Sequence, residues 1–353
     1  MQRDDSLSRP FGRRTVIGAG AGFAALQLLP GDAHAQLRFS GREVVATAFG
    51  GPSQDMLQRM VYDRVQRETG ARGTQAPLVS AQAFARMRAE TQAPQIDLFM
   101  FSGGQQVQAK ADGLTQPLPA QPHFANVPAS LKDADGHWIS WGVVTQGILY
   151  RTDKVANPPR SYRDFFRPEF EGHIAFPHIT NGYGTDFLVM LARSFGGGEQ
   201  NISPGFEALR RISGRANIFR SAAEVQTLFA SGDIWIMPYD GASALRSRAM
   251  GLPVAYAVPE EGAPFVLLTG CVARRSRNAD IAAAVLNGHL DPEVQNAIAR
   301  EIGWAPVNTG AQLPQDIAPF MAPTDRLVDL NRDLINASRA AWTERFNREI
   351  TTR

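Results

Sequence analysis

Residues able to make or break covalent bonds are scattered along this 353-residue chain rather than gathered into a set. Beyond residue 35 the histidines are His123, His137, His173, His178 and His289. None forms an HxxxH pair or stands beside a second metal ligand, so a zinc-type centre is not indicated. Ser243 lies in Gly241-Ala242-Ser243-Ala244-Leu245, which lacks the second glycine of a nucleophile elbow. The single cysteine, Cys271, sits in an apolar run, where a thiol packs rather than reacts, and alone it closes no disulfide. Glu260 and Glu261 are adjacent, so they point apart and read as a turn. No Walker sequence is present. Gly18-Ala19-Gly20-Ala21-Gly22 imitates a dinucleotide fingerprint, but the few residues between Arg14 and Gly18 are too short for the buried strand that fingerprint needs. No catalytic residue, resident metal or cofactor is expected.

The chain does carry four loops of glycine with small polar or aromatic residues. They are Phe49-Gly50-Gly51, Ser102-Gly103-Gly104, Asn181-Gly182-Tyr183-Gly184-Thr185 and Tyr239-Asp240-Gly241. Each follows a predicted strand and precedes a predicted helix. Open α/β sheets bind ligands at such strand ends, where helix starts offer unpaired N–H donors. Any one of these glycines could serve only a tight turn; four loops in one topological place point to a binding cleft.

The elements behind the loops follow from hydrophobic period. Apolar runs predict strands over 42–49, 76–80, 95–101, 174–177, 233–238, 254–258 and 264–273, and a long extended segment over 138–150. Helical spacing is found over 54–69, 83–91, 105–111, 185–195, 204–214, 221–231, 242–250, 279–290, 292–302 and 328–350. This alternation predicts an α/β fold with mixed sheets covered by helices on both faces.

The start reads as an export signal. Arg13 and Arg14 precede an apolar stretch from Val16 to Leu29, too short to span a bilayer, and Ala33-His34-Ala35 offers a small-residue cleavage site. The arginine pair resembles a twin-arginine signal. Cleavage near Ala35 leaves a chain outside the cytoplasm, in the periplasm of a Gram-negative cell. With 36 basic against 34 acidic side chains, the near-neutral balance argues against a nucleic-acid reader.

Several segments resemble one family. Phe170-Glu171-Gly172-His173-Ile174-Ala175-Phe176-Pro177 is similar to an F-x-G-K-I-x-x-P block. Phe219-Arg220-Ser221-Ala222-Ala223-Glu224 and Gly232-Asp233-Ile234-Trp235-Ile236 follow in the same order. Gly251-Leu252-Pro253-Val254 with Val258-Pro259-Glu260-Glu261-Gly262-Ala263-Pro264 resembles G-x-P-V … x-P-x-E-G, and Pro306-Val307-Asn308 a P-x-N tail. Together they resemble the extracytoplasmic solute-binding proteins of ABC importers with the type 2 periplasmic-binding-protein fold, in the branch that holds polyamine, ferric-iron, thiamine and aminoethylphosphonate binders.

The resemblance implies two α/β lobes, at 37–142 plus 273–353 and at 143–272, after a signal at 1–35. The hinge would include 142–145 and a crossing near 269–272. It implies a small-molecule solute held in the cleft, an ABC permease as partner, and a monomer. The implied ligand residues are Phe49, Gly50, Ser102, Gly103, Asn181, Tyr183, Thr185, Tyr239, Asp240 and Glu261. Phe49 and Tyr239 would be stacking faces, and Asp240 with Glu261 amine partners. The polyamine binders' acids in the 181–185 loop are uncharged here, their Trp-x-Asp segment falls near Val266-Leu267-Leu268, and the iron binders' adjacent tyrosine pair is absent, since Asp240 follows Tyr239. The favoured solute is an organic amine, polyamine-like or zwitterionic. Ferric iron, an organic anion or phosphonate, a sensory rather than import role, and an exported enzyme are the alternatives.

Overall fold

The computed structural model describes residues 38–50, 52–220 and 223–351. The export-signal reading, Gly51, Ser221 and Ala222 lie outside the described residues. Among the described residues no helix is long and apolar enough to cross a membrane.

Eleven strands are present among the described residues: β1 (Glu43–Ala48), β2 (Arg72–Pro77), β3 (Leu98–Ser102), β4 (Thr115–Gln116), β5 (Ile139–Arg151), β6 (Ala175–Pro177), β7 (Asn217–Phe219), β8 (Ile236–Asp240), β9 (Val254–Ala257), β10 (Ala263–Ala273) and β11 (Leu327–Val328). The main sheet runs β2-β1-β3-β10-β5-β8, with β4 and β11 on β10 and β9 on β5. β1 pairs in parallel with β2 and β3, whereas β10 is antiparallel to both β3 and β5. The sheet is therefore mixed, as the alternation predicts. β6 and β7 form a short parallel pair, linked to β8 by a bridge from Ile174 to Ile236.

β5 is long because it serves two cores. β5 places Ile139, Trp141 and Val143 among the apolar residues of the first lobe, then Ile148 among those of the second. β10 returns beside it, Leu268 and Val272 packing in the first lobe. A register shift between Leu268 and Thr269 interrupts that pairing at the crossing, and such a bulge bends a strand locally.

The C-terminal segment differs from the expected boundaries, which put all of 273–353 in the first lobe. Ile281, Leu286, Val294 and Ile298 do pack there. Leu330, Ile335, Trp342, Phe346 and Ile350 instead bury against Phe165, Phe187 and Phe206 of the second lobe. The predicted single helix over 328–350 is also broken. Leu327–Val328 pairs with β10, and the helix begins at Arg332, capped by the Asn331 side chain, which accepts from the Leu334 N–H at 3.0 Å. A strand pairing consumes 327–328 before the helix can start. The chain thus crosses between lobes a third time, through residues 308–326.

This third crossing touches the 239–241 loop. A Cβ at Gly241 would stand 1.9 Å from the Phe320 carbonyl oxygen, so only glycine lets the two backbones meet. Gly241→Ala is expected to lower stability by about 2 kcal/mol through overpacking, read as a lower urea midpoint; an unchanged midpoint would show that the crossing is free to move.

Candidate functional site

The Gly182–Ser194 helix and β8 converge where β5 leaves the first lobe. The Asn181 side chain caps that helix, accepting from the Tyr183 N–H at 3.1 Å. The helix begins three residues before its predicted start, because Asn181 rather than Gly184 supplies the cap. Asp240 does the same for the Gly241–Ala249 helix, accepting from the Ser243 N–H at 2.7 Å. The two caps bring Tyr183 and Tyr239 edge to face, with ring centroids 4.6 Å apart.

Asp240 is the centre of this group. It is buried, at 5% exposure. Burial raises its carboxyl above the usual range, while Arg246, the Ser243 N–H and hydroxyl, and the Tyr183 hydroxyl draw it the other way. The nearest cation is Arg246, 4.0 Å away and half exposed, whose guanidinium also donates to the Ser243 hydroxyl at 2.8 Å. Burial pushes the Tyr239 phenol up to about 12, against a hydrogen bond from Asn181 that lowers it. Tyr183 is raised well above its ordinary value, again by burial first. Both tyrosines are neutral hydrogen-bonding and packing groups at pH 7.

The first lobe contributes an aromatic wall. Phe49 lies offset against Trp141, centroids 6.2 Å apart, and edge-on to Trp304 at 6.1 Å. Trp304 is brought there because Ala305 bridges to Val143 of β5. Tyr183 packs on the first lobe's apolar group as well as on the second lobe's. Gly50 takes a positive φ of 78° and its carbonyl accepts from Ser53 Oγ at 2.9 Å. Ser102 pairs with Ser80, hydroxyl to hydroxyl at 3.1 Å, ahead of Gly103.

Two expected ligand residues are committed elsewhere. Thr185 is 2% exposed and its hydroxyl donates to the Ile179 carbonyl at 2.9 Å, because it falls on the inward face of its helix. Glu261 accepts from Ser161 Oγ at 2.5 Å, Ser194 Oγ at 2.9 Å and the Tyr162 N–H at 3.3 Å. These three donors make it a clasp within the second lobe rather than an amine partner, and the Pro259–Gly262 turn that holds it is the turn read from the paired acids.

Trp141, Trp304, Gln146 and Arg246 were not singled out from the sequence. Arg246 stands three residues after Ser243 on the helix that Asp240 caps, a spacing that places it one turn along the same face. The tryptophans and Gln146 have no such local signal. A separate hollow of about 430 Å³, lined by Gly197, Glu199, Asn201 and Asn331 among others, lies at the opposite end of the Gly182–Ser194 helix, roughly 20 Å from Tyr183; Phe49, Trp304, Asp240 and Arg246 do not line it. Among the described residues no group of three or more His, Cys, Asp or Glu side chains is placed to hold a metal ion.

This arrangement can hold a small molecule by stacking, by neutral donors and by one buried carboxylate beside a guanidinium. A sequence model described as bacterial extracellular solute-binding protein matches residues 93–336. The fold is similar to that of a putative extracellular solute-binding protein from Bordetella parapertussis, with a TM-score of 0.79, 20% identity, and coverage of 88% of this chain and 99% of that one. It is similar to a spermidine/putrescine ABC transporter substrate-binding protein from Streptococcus pneumoniae, at TM-score 0.74, 16% identity, and 87% and 99% coverage. It is also similar to a Bordetella ferric binding protein, at TM-score 0.69, 19% identity, and 87% and 98% coverage.

Proposed function

The chain belongs to the bacterial extracellular solute-binding proteins, and on that premise we propose that it captures a small organic amine, zwitterionic by preference, and delivers it to an ABC permease. The observation that carries the reading is Asp240. A carboxylate this buried, with its charge only partly balanced by Arg246 at 4.0 Å, favours a cationic group arriving with the solute. Arg246, half exposed beside it, suits an acidic group at the solute's other end. Phe49 and Trp304 supply apolar faces for the stem between.

Closure supplies the mechanism. The lobes are joined by β5, β10 and the 308–326 segment, and a solute that touches both lobes binds the closed state better than the open one. That difference alone drives the shift. The loaded clamshell then presents both lobes to the permease. Export of the chain, its cleavage near Ala35 and its monomeric state are parts of the same proposal.

Thermal-shift screening of the purified protein tests it. A micromolar solute at a hundredfold excess adds about 2.7 kcal/mol, a rise of several degrees in Tm, with one-to-one stoichiometry by calorimetry. Amines and amino acids are expected to produce it; shifts confined to phosphonates or other anions would overturn the amine reading. A ferric ion is the second reading, favoured by Tyr183 of one loop meeting Tyr239 and Asp240 of another. Visible phenolate-to-iron absorption on adding ferric citrate, without any amine response, would select it.

A further inference from the structure

Gln146 is on β5, midway along the crossing, and 1% exposed. Its register partner across the antiparallel pair is Asp240. Residues opposite one another in such a pair project from the same face of the sheet. Its Nε2 donates to the Tyr183 carbonyl at 2.9 Å.

The amide is fixed at one end and open at the other. Gln146 Oε1 is buried and finds no hydrogen-bond partner among the described residues. An acceptor left this way in a protein interior is costly until a donor reaches it. The polar groups at the start of the Gly241–Ala249 helix, opposite it in register, are acceptors or spent donors. Asp240 presents oxygens, and the Ser243 N–H serves Asp240. The missing donor must come from outside this set.

We propose that Gln146 is a specificity-determining residue of the site, its Oε1 accepting an N–H of the solute's ammonium group beside Asp240. This rests on the amine reading above. It adds that the site distinguishes an ammonium that carries hydrogens from a quaternary one of equal charge. Asp240 alone would attract both; Gln146 rewards only the first. Its place on a crossing strand also ties that recognition to the segment that bends.

The test is a cycle of two proteins and two probes, 4-aminobutyrate and its trimethylammonium analogue, by isothermal calorimetry. The wild-type protein is expected to favour 4-aminobutyrate by about tenfold or more, the size of one hydrogen bond to a charged group. Gln146→Met, close in volume and without hydrogen bonds, is expected to remove most of that preference while moving the ligand-free Tm little. An unchanged preference in Gln146→Met overturns the proposal and leaves the amine reading standing. A lost preference with a large fall in the ligand-free Tm assigns Gln146 to holding Tyr183 and also overturns it; Gln146→Leu is the second variant for that comparison. Wild-type binding of neither probe overturns this inference, and the amine reading falls with it if no amine or amino acid raises the Tm.

Discussion

Arg332→Met is expected to cost about 3–5 kcal/mol of folding stability, the usual result of removing one partner from a buried ion pair. Arg332 forms a two-bond contact with Asp186, at 2.5 and 3.0 Å, and donates to the Phe265 carbonyl of β10 at 3.0 Å. Asp186 is 2% exposed. The pair joins the C-terminal helix to the helix that carries Tyr183 and to a crossing strand, so it holds the third crossing in register with the other two. Without the guanidinium, a carboxylate is left in an apolar setting.

The pH dependence fixes the sign. Burial already holds the Asp186 carboxyl above its ordinary value, with Arg332 working against that rise. An acid whose folded pKa is raised binds its proton more tightly folded than unfolded, so stability falls as pH rises from the unfolded value through the folded one. Removing Arg332 raises the folded value further and widens that window upward. The deficit of Arg332→Met should therefore be largest near pH 7.5 and shrink toward pH 5, where Asp186 takes up a proton. Urea melts at the two pH values measure it. The double variant Asp186→Leu/Arg332→Met should recover most of the loss, since an apolar pair can replace a buried ionic one. A deficit that is equal at both pH values would place the contribution in packing of the arginine stem.

Asp240→Asn is expected to weaken solute binding by at least about 30-fold, as when one partner of a desolvated charge pair is lost. Asparagine still caps a helix well, so the Ser243 N–H keeps its acceptor and the Gly241–Ala249 helix keeps its start. Removing a buried charge should leave Tm unchanged or raise it. This separates binding from folding better than Tyr239→Ala would. Tyr239 is 2% exposed and packs on Phe219 at 5.4 Å as well as on Tyr183. Truncating it opens a cavity, at about 3–5 kcal/mol for a large aromatic, so a loss of affinity there would be mixed with a loss of structure. In the wild-type protein, binding of a cationic solute should fade as pH falls, beginning above the ordinary carboxylate range because burial raises Asp240. Equal affinity of wild-type and Asp240→Asn protein for every amine tested would remove Asp240 from the site.

Much of this protein was determined by local sequence. Strand and helix periods read from 42–49, 105–111 and 264–273 recur in β1, in the Gln105–Ala111 helix and in β10 with ends shifted by at most a residue or so, because side-chain period is imposed by the backbone geometry of one segment. Loops at strand ends could be found in the same way, and Asn181, Tyr183, Tyr239 and Asp240 come together as a group. What each side chain does there was decided by tertiary structure alone. Thr185 and Glu261 look as polar as Asn181 and Asp240 in the sequence, yet their neighbours Ile179, Ser161 and Ser194 consume them. Gln146 opposes Asp240 only through the register of β5 and β8, and Arg332 meets Asp186 across 146 positions of chain. Such partnerships depend on how strands align and which lobe a helix joins. Those choices follow from the fit of whole apolar faces, which no single stretch of residues contains.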